Sequence, residues 1–501
     1  MKEDTEMNVK TGAEHRASLR DGRDIRIEGR RVADVTEDPA FRGAVASGCA
    51  LYDAQSAPEA VERLTYEVPG LGGRRANRAW QAPRSYAELV TRREALEEWA
   101  EGHVGFIGRS PDHVASCLVG MEMDPAPFEA HDLKRAGALR DYVAFARAKD
   151  LFLTYVIINP QADRSKQASQ QSNPDLALHI VDEDHEGITV RGGKMLATSS
   201  VMANEIFVST IQPMAPGDER HAVCFAIPVA TRGLRLLSRK SYEAAAGHPF
   251  DAPLASRFDE NDAVAYFDEV KVPWERVFAT RDLRIMQAMW HETPAHVLQN
   301  YQCQIRLLVK MRFLAGIARR TAEINGTIGM PPVRDTLGQL AAEVGMVEGL
   351  LRGMEAKGRM HNGFFVPDRT LLYSAQVLTQ QLYPRFVDTL RELAGGGLIM
   401  LPSSAADYGD AQIAHDIAAT QCSSVAGPME RVKFFKLAWD AVGSEFASRH
   451  VQYEKFYAGA QFVTRGHSFR TFDWTRSSAA VDRILGETPE PVPATMPIAA
   501  E

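Results

Sequence analysis

The hydrophobic period of this 501-residue chain changes twice, and those changes limit what it can fold into. From Leu151, apolar residues crowd into L-F-L-T-Y-V-I-I. Alternation then continues through residues 178–181, 188–190, 205–210 and 222–228, the period-two signature of strands. The stretch R-F-D-E-N-D-A-V-A-Y-F-D-E-V-K-V-P from Arg257 alternates between Val264 and Val272. Pro273 ends it, because proline has no backbone donor for the next ladder bond. Val277 and Phe278 lead from it into a long helical half. Gly192-Gly193 and Ala215-Pro-Gly-Asp218 are the clearest turns within the β stretch, the second in a loop long enough to cover a ligand.

Helical spacing dominates on either side. Leu89, Leu96 and Trp99 share one face of a segment that starts after Ser85, and Ser110-Pro111 predicts the start of another helix over 114–121. A further helix is predicted over 139–149, and segments 311–324, 334–357, 370–394 and 432–456 are long enough for a four-helix bundle. Asn325-Gly326, Gly329 and Gly395-Gly-Gly397 punctuate them. Asp21-Gly22 predicts a hairpin packed as a small appendage. The pattern gives an α+β chain: a tail over 1–15, a mainly helical domain over 16–150, a β-barrel or sandwich over 151–280, a helical bundle over 281–485 and a Pro-rich tail over 486–501.

A net charge of -8 with no basic run argues against nucleic acid or anionic membrane as partners. Five scattered cysteines, an N-terminus without an apolar signal core and no membrane-length apolar run predict a reduced, cytoplasmic protein. No dinucleotide fingerprint, P-loop or H-E-x-x-H motif occurs, so the chain lacks the usual equipment for nicotinamide dinucleotide, nucleoside triphosphate or zinc.

The 257–278 stretch, R-S-P-D-H at Arg109, N-P-Q-A-D-R-S-K at Asn159 and G-S-E-F-A-S-R-H at Gly443 together resemble the 4-hydroxyphenylacetate 3-monooxygenase family. These are the oxygenase components of two-component flavin hydroxylases. The resemblance runs over about residues 15–480 and implies an acyl-CoA dehydrogenase-like fold, usually a homotetramer or else a dimer. It also implies reduced FAD delivered by a separate NAD(P)H:flavin reductase, O2 as co-substrate, no metal, and ortho-hydroxylation of a phenol through a flavin C4a-hydroperoxide. Carrier-tethered aromatics, and phenols that lose halide or nitro groups, are alternative substrates. A 4-hydroxybutyryl-CoA dehydratase-like lyase shares the fold, and His296 and Cys303 mimic part of its cluster spacing, but the second cysteine near Cys117 is missing. A flavin-binding protein without catalysis is the other rival.

By this resemblance Arg109 reaches substrate and flavin; as an isolated arginine it would be a surface or helix-capping residue. His113 and Tyr155 look exchanged relative to the tyrosine and histidine expected there. If they face each other across the substrate, His113 is the base and Tyr155 its partner; otherwise they are a helix-terminal and a strand residue. Asn159, Gln161, Thr198 and Ser199 resemble segments that meet the flavin ring. Gly443, Ser444 and Arg449 resemble the signature near its diphosphate. Ser209 and Thr210 begin the covering loop and are placed against the substrate's polar tail, and His296 is the second candidate base. Tyr453 and Tyr457 read as bundle core.

Overall fold

The computed structural model describes residues 9–69, 73–160 and 162–490. Thr11 and Glu14 form a reciprocal capping box that starts the helix Gly12–Ser18. This helix starts within the stretch 1–15 that was expected to be a tail and runs on past it. His15 is fully buried there, packed on Tyr52 and Phe152. Residues 1–8 and 491–501 of the two expected tails lie outside the described residues.

The expected hairpin exists, but its turn is Glu28-Gly29 rather than Asp21-Gly22. Both turn residues have positive φ, and they join β1 (Ile25–Ile27) to β2 (Arg30–Arg31). It is not an appendage, because β1 pairs in parallel with the strand Leu234–Ser238 of the larger sheet. A separate ribbon is made by β3 (Thr65–Glu67) and β4 (Arg75–Asn77).

The β region comprises β5 (Leu153–Val156), β6 (His179–Glu183), β7 (Gly187–Lys194), β8 (Glu205–Val208), β9 (Val223–Pro228), β10 (Leu234–Ser238), β11 (Ala263–Pro273) and β12 (Val277–Thr280). They form a six-stranded sheet, β2-β1-β10-β11-β7-β6, and a four-stranded sheet, β12-β9-β8-β5. The sheets face each other as a sandwich, with Phe225 and Phe267 edge to face across the layer at 6.1 Å; no strand closes them into a barrel among the described residues. Val277 and Phe278 do not enter a helix directly, because they first form β12 against β9. Gly192-Gly193 is not a turn either. Both lie in β7 opposite Phe267 and Tyr266, and a Cβ on Gly192 would sit 2.5 Å from the Ala177 carbonyl. These glycines admit a neighbouring backbone rather than a change of direction.

Three long helices, Ala295–Ile324, Pro331–Ala356 and Arg369–Ala394, pack with Pro428–Val442 and Glu445–Phe456. The last two were expected as one helix. The chain breaks at Gly443, where a Cβ would strike the Trp439 ring, and Ser444 caps the second helix. Ala295–Ile324 begins sixteen residues earlier than expected, because its first half is buried on all sides and shows no amphipathic stripe. A hairpin, β13 (Arg359–His361) and β14 (Phe364–Val366), turns at Asn362-Gly363, an Asn-Gly signal flanked by apolar residues that the sequence reading passed over. At the head of helix Pro111–Glu122, Ser110 holds the N-cap position without a side-chain cap bond; its hydroxyl goes to Asp112 instead.

A buried charge cluster joins the bundle to the N-terminal helices. Arg306 donates two bonds to Glu454, at 2.6 and 2.9 Å, and a third to the Gly105 carbonyl; Lys310 donates to Glu454 at 3.0 Å. Burial works to raise the Glu454 carboxyl, but the Arg306 and Lys310 cations outweigh it and hold it at about 2. Its stabilising contribution is therefore complete above about pH 4.5 and is lost as pH falls toward 2. Glu454→Gln removes the counter-charge of the buried Arg306 guanidinium, beside a Lys310 amine that burial already lowers to about 7. It should cost about 3–5 kcal/mol in urea unfolding at pH 7 and flatten the acid limb of the stability curve; a loss under about 1 kcal/mol would show that the cluster is dispensable.

Candidate active site

The loop before Arg109 is fixed from both sides. Gly105 has φ +77°, and a Cβ there would lie 2.6 Å from the Lys310 Cβ; one on Gly108 would lie 2.3 Å from the Tyr453 hydroxyl. The loop thus lies flat on the helices carrying Lys310 and Tyr453. The Arg109 backbone N–H donates to Glu260 Oε2 at 2.9 Å. Its guanidinium, 8% exposed, lies 4.8 Å from the centre of the Tyr155 ring and 5.5 Å from that of Tyr453, and contacts the His113 imidazole. It makes no ion pair with a carboxylate among the described residues, and it packs instead on aromatic faces and an imidazole.

His113, one helical turn on, faces Tyr155 with ring centroids 5.3 Å apart, so the residues that looked exchanged do meet. Gln302 Nε2 donates to Asp112 Oδ2 at 3.0 Å, which turns Gln302 Oε1 toward His113 Nδ1, also at 3.0 Å. That carbonyl needs a donor, so the proton sits on Nδ1 and Nε2 carries the lone pair. Burial, reinforced by the Arg109 charge, pushes the imidazole well below its usual range, so it is neutral at pH 7. Burial also raises the Tyr155 phenol to about 12, against the opposing effect of Arg109. Gln299 Nε2 donates to the Tyr155 hydroxyl at 2.8 Å and lies 3.2 Å from His113 Nε2. Cys303 Sγ lies 3.6 Å from His113 Nδ1, and its thiol is raised to about 12 by burial.

The residues assigned to the flavin ring lie close by. Lys194, at the end of β7, donates to Asn159 Oδ1 at 2.7 Å and to the Ser209 carbonyl and Thr210 Oγ1 at 2.8 Å each. One buried ammonium thereby holds the loops that follow the parallel strands β5 and β8. Burial lowers it to about 7. Thr198 Oγ1 donates to Asp262 at 2.7 Å, and Ser199, at φ +64°, donates from its hydroxyl to Glu260 at 3.2 Å. Gln161 lies outside the described residues.

Three assigned residues are occupied differently from the sequence expectation. Arg449 spends its guanidinium on Glu260 Oε1 and both Asp262 oxygens at 2.6–2.9 Å, so it joins a helix to the head of β11 instead of presenting an open charge to phosphate. Ser444 caps the following helix and donates to Asp440. His296 belongs to a separate ring cluster with His291, His467 and Tyr373, and no contact links its side chain to Arg109 or His113 among the described residues. Ser209 and Thr210 are present through Lys194, and the Ser209 hydroxyl reaches the Met289 sulfur at 3.4 Å. Gln299, Gln302 and Lys194 were missed. The two glutamines lie on the part of helix Ala295–Ile324 that is buried all round, where polar residues follow no readable stripe. A lysine at the end of a strand reads as solvent-facing.

Two family models match the chain: the 4-hydroxyphenylacetate 3-hydroxylase N-terminal model over residues 11–279 and the C-terminal model over 286–486. The pyoverdin chromophore biosynthetic protein PvcC of Pseudomonas aeruginosa is 37% identical over 90% of this chain and 89% of its own length. The 4-hydroxyphenylacetate 3-monooxygenase oxygenase component of the same organism is 35% identical over 95% and 91%. A crystal structure of such an oxygenase component with FAD and 4-hydroxyphenylacetate superposes with a TM-score of 0.90 at 30% identity, covering 95% of this chain and 98% of the other. An archaeal 4-hydroxybutyryl-CoA dehydratase from N. maritimus, 18% identical with a TM-score of 0.86 over 96% of each chain, shares the fold. With both halves matched and the solved oxygenase component superposing along nearly the whole chain, the chain belongs to the 4-hydroxyphenylacetate 3-hydroxylase family.

Proposed function

We propose that this chain is the oxygenase component of a two-component monooxygenase, which takes reduced FAD from a separate NAD(P)H:flavin reductase and hydroxylates a phenol ortho to its hydroxyl. The observation that carries the reading is Arg109, a buried guanidinium that makes no ion pair with a carboxylate, beside a neutral imidazole and a phenol. An arginine stays protonated under all working conditions, so such a site favours a ligand oxygen that becomes negative during reaction.

The residues present fit a flavin. Asn159 has its carbonyl oxygen fixed by Lys194, which leaves Nδ2 as a neutral donor, and the Thr198 and Ser199 oxygens keep lone pairs beside it in the fold. When bound, reduced flavin supplies the activation of O2. The chain's own groups do the rest. Arg109 stabilises negative charge as it gathers on the phenolic oxygen. His113 is the assigned base; Gln302 and Asp112 hold the tautomer that leaves the lone pair on Nε2, which meets Arg109 Nη1. Tyr155 keeps its proton and donates. Lys194 keeps the covering loops in register. Arg449, through Glu260, sets the backbone of Arg109.

Purified chain supplied with a flavin reductase, NADH, FAD and O2 should convert a phenol to the catechol. Arg109→Ala should lower product formation by at least about 100-fold with the fold intact by circular dichroism. Reduced flavin should still be oxidised to FAD, with O2 now reduced to hydrogen peroxide. Turnover within about threefold of wild type would remove Arg109 from the mechanism.

The ionisations give a second test. His113 is already neutral, so His113→Asn should lower the rate without removing a limb near pH 6.5. Lys194 titrates at about 7, and its deprotonation removes one of three loop bonds. Product formed per reduced flavin should therefore fall as pH rises from 7 toward about 9. Lys194→Arg, always charged, should flatten that fall; an unchanged pH profile in this variant would assign the ionisation elsewhere.

A further inference from the structure

Gln299 carries a polar atom that nothing in the fold uses. The residue is 5% exposed, and Oε1 is buried with no hydrogen-bond partner among the described residues. The orientation of the amide is set by its surroundings. Asp112 orients Gln302, Gln302 places the His113 proton on Nδ1, and the Nε2 lone pair of His113, which accepts from Arg109 Nη1, would repel a carbonyl oxygen at 3.2 Å, so the NH2 end of Gln299 faces it. The same NH2 donates to the Tyr155 hydroxyl at 2.8 Å. The carbonyl end is left over. Tyr155 accepts from Gln299, and its own proton has no acceptor among the described residues. A spare acceptor and a spare donor therefore belong to two side chains that are bonded to each other, beside Arg109.

We propose that Gln299 is the residue that selects a ring carrying a free, protonated hydroxyl: its Oε1 accepts the substrate's O–H while Tyr155 donates to the same oxygen. The inference rests on the aromatic hydroxylase reading and adds the group by which a phenol is told from the ring without its hydroxyl. An aryl ether or unsubstituted ring lacks the donor and leaves the carbonyl as unsatisfied as it is in the free protein. A carboxylate or halide in that position is also refused, because neither donates. The role is one of positioning and discrimination. Charge stabilisation stays with Arg109.

The test is equilibrium dialysis of the full chain with FAD present against three matched pairs: 4-hydroxyphenylacetate with phenylacetate, tyramine with phenethylamine, and 4-nitrophenol with nitrobenzene. The ratio of dissociation constants is taken on the pair that binds tightest. Wild type should prefer the hydroxylated member by at least about 100-fold. Gln299→Met, which keeps the volume, and Gln299→Leu should bring the ratio to within about fivefold by weakening the phenol alone. Gln299→Glu, which keeps an acceptor oxygen, should retain most of the preference. A methionine variant that binds both members more weakly at an unchanged ratio would make Gln299 a packing residue and overturn the proposal, while leaving the hydroxylase reading in place. Wild type that binds neither member of any pair would overturn both.

Discussion

Three carboxylates at the head of β11 hold the structure's parts in register. Asp259 pairs with Arg239 and accepts the Tyr242 backbone N–H; Asp262 takes Arg239, Arg449 and the Thr198 hydroxyl; Glu260 takes Arg449, the Ser199 hydroxyl and the backbone of Arg109. The Asp262 carboxyl is held well below its usual range because these two guanidinium groups outweigh its burial. One short segment thus ties the β sandwich, the helix Glu445–Phe456 and the R-S-P-D loop to a common point. Its charges are satisfied in bidentate geometry, which makes a buried ionic cluster a positioning device instead of a liability.

This arrangement separates an arginine spent on carboxylates from one that forms no ion pair with a carboxylate among the described residues. Arg449 takes one oxygen of Glu260 and both of Asp262, and Arg109 forms an ion pair with neither carboxylate among the described residues. Glu260 meets the Arg109 segment through its backbone only. The guanidinium is held in place while its charge remains available. The same economy governs His113, Tyr155 and Lys194, since burial keeps the imidazole neutral and the phenol protonated and brings the lysine to about 7. Polar groups with adjusted proton affinities are gathered in one closed region, as expected where a cofactor does the chemistry and the protein controls charge and access.

The sequence showed the large features because periodicity reports one-sided burial. The alternation from Val264 to Val272 became β11, and the Leu89, Leu96 and Trp99 stripe became a buried helix face. It failed where burial is uniform or where glycine serves contact. The first half of Ala295–Ile324 is enclosed on all sides, so its start and its functional glutamines were invisible. Gly192-Gly193 looked like a turn, although its lack of side chains accommodates the Ala177 backbone. Within the site, the resemblance led to Arg109, His113 and Tyr155, which the fold brings together. It could not show that Arg449 would be spent on carboxylates or that Lys194 would fasten two loops, since both depend on partners far along the chain. His296, suggested by spacing, lies in a different cluster of rings.

The central claim is that the Arg109 region makes flavin oxidation depend on a phenol. The most direct measurement mixes the protein with reduced FAD without oxygen, admits O2 with and without a phenol, and follows flavin absorbance and product together. The account predicts that the protein slows or reshapes flavin oxidation relative to free reduced FAD, that the phenol changes its time course, and that catechol appears in step. Flavin oxidising as it does in free solution, with no catechol at any phenol concentration, would contradict it.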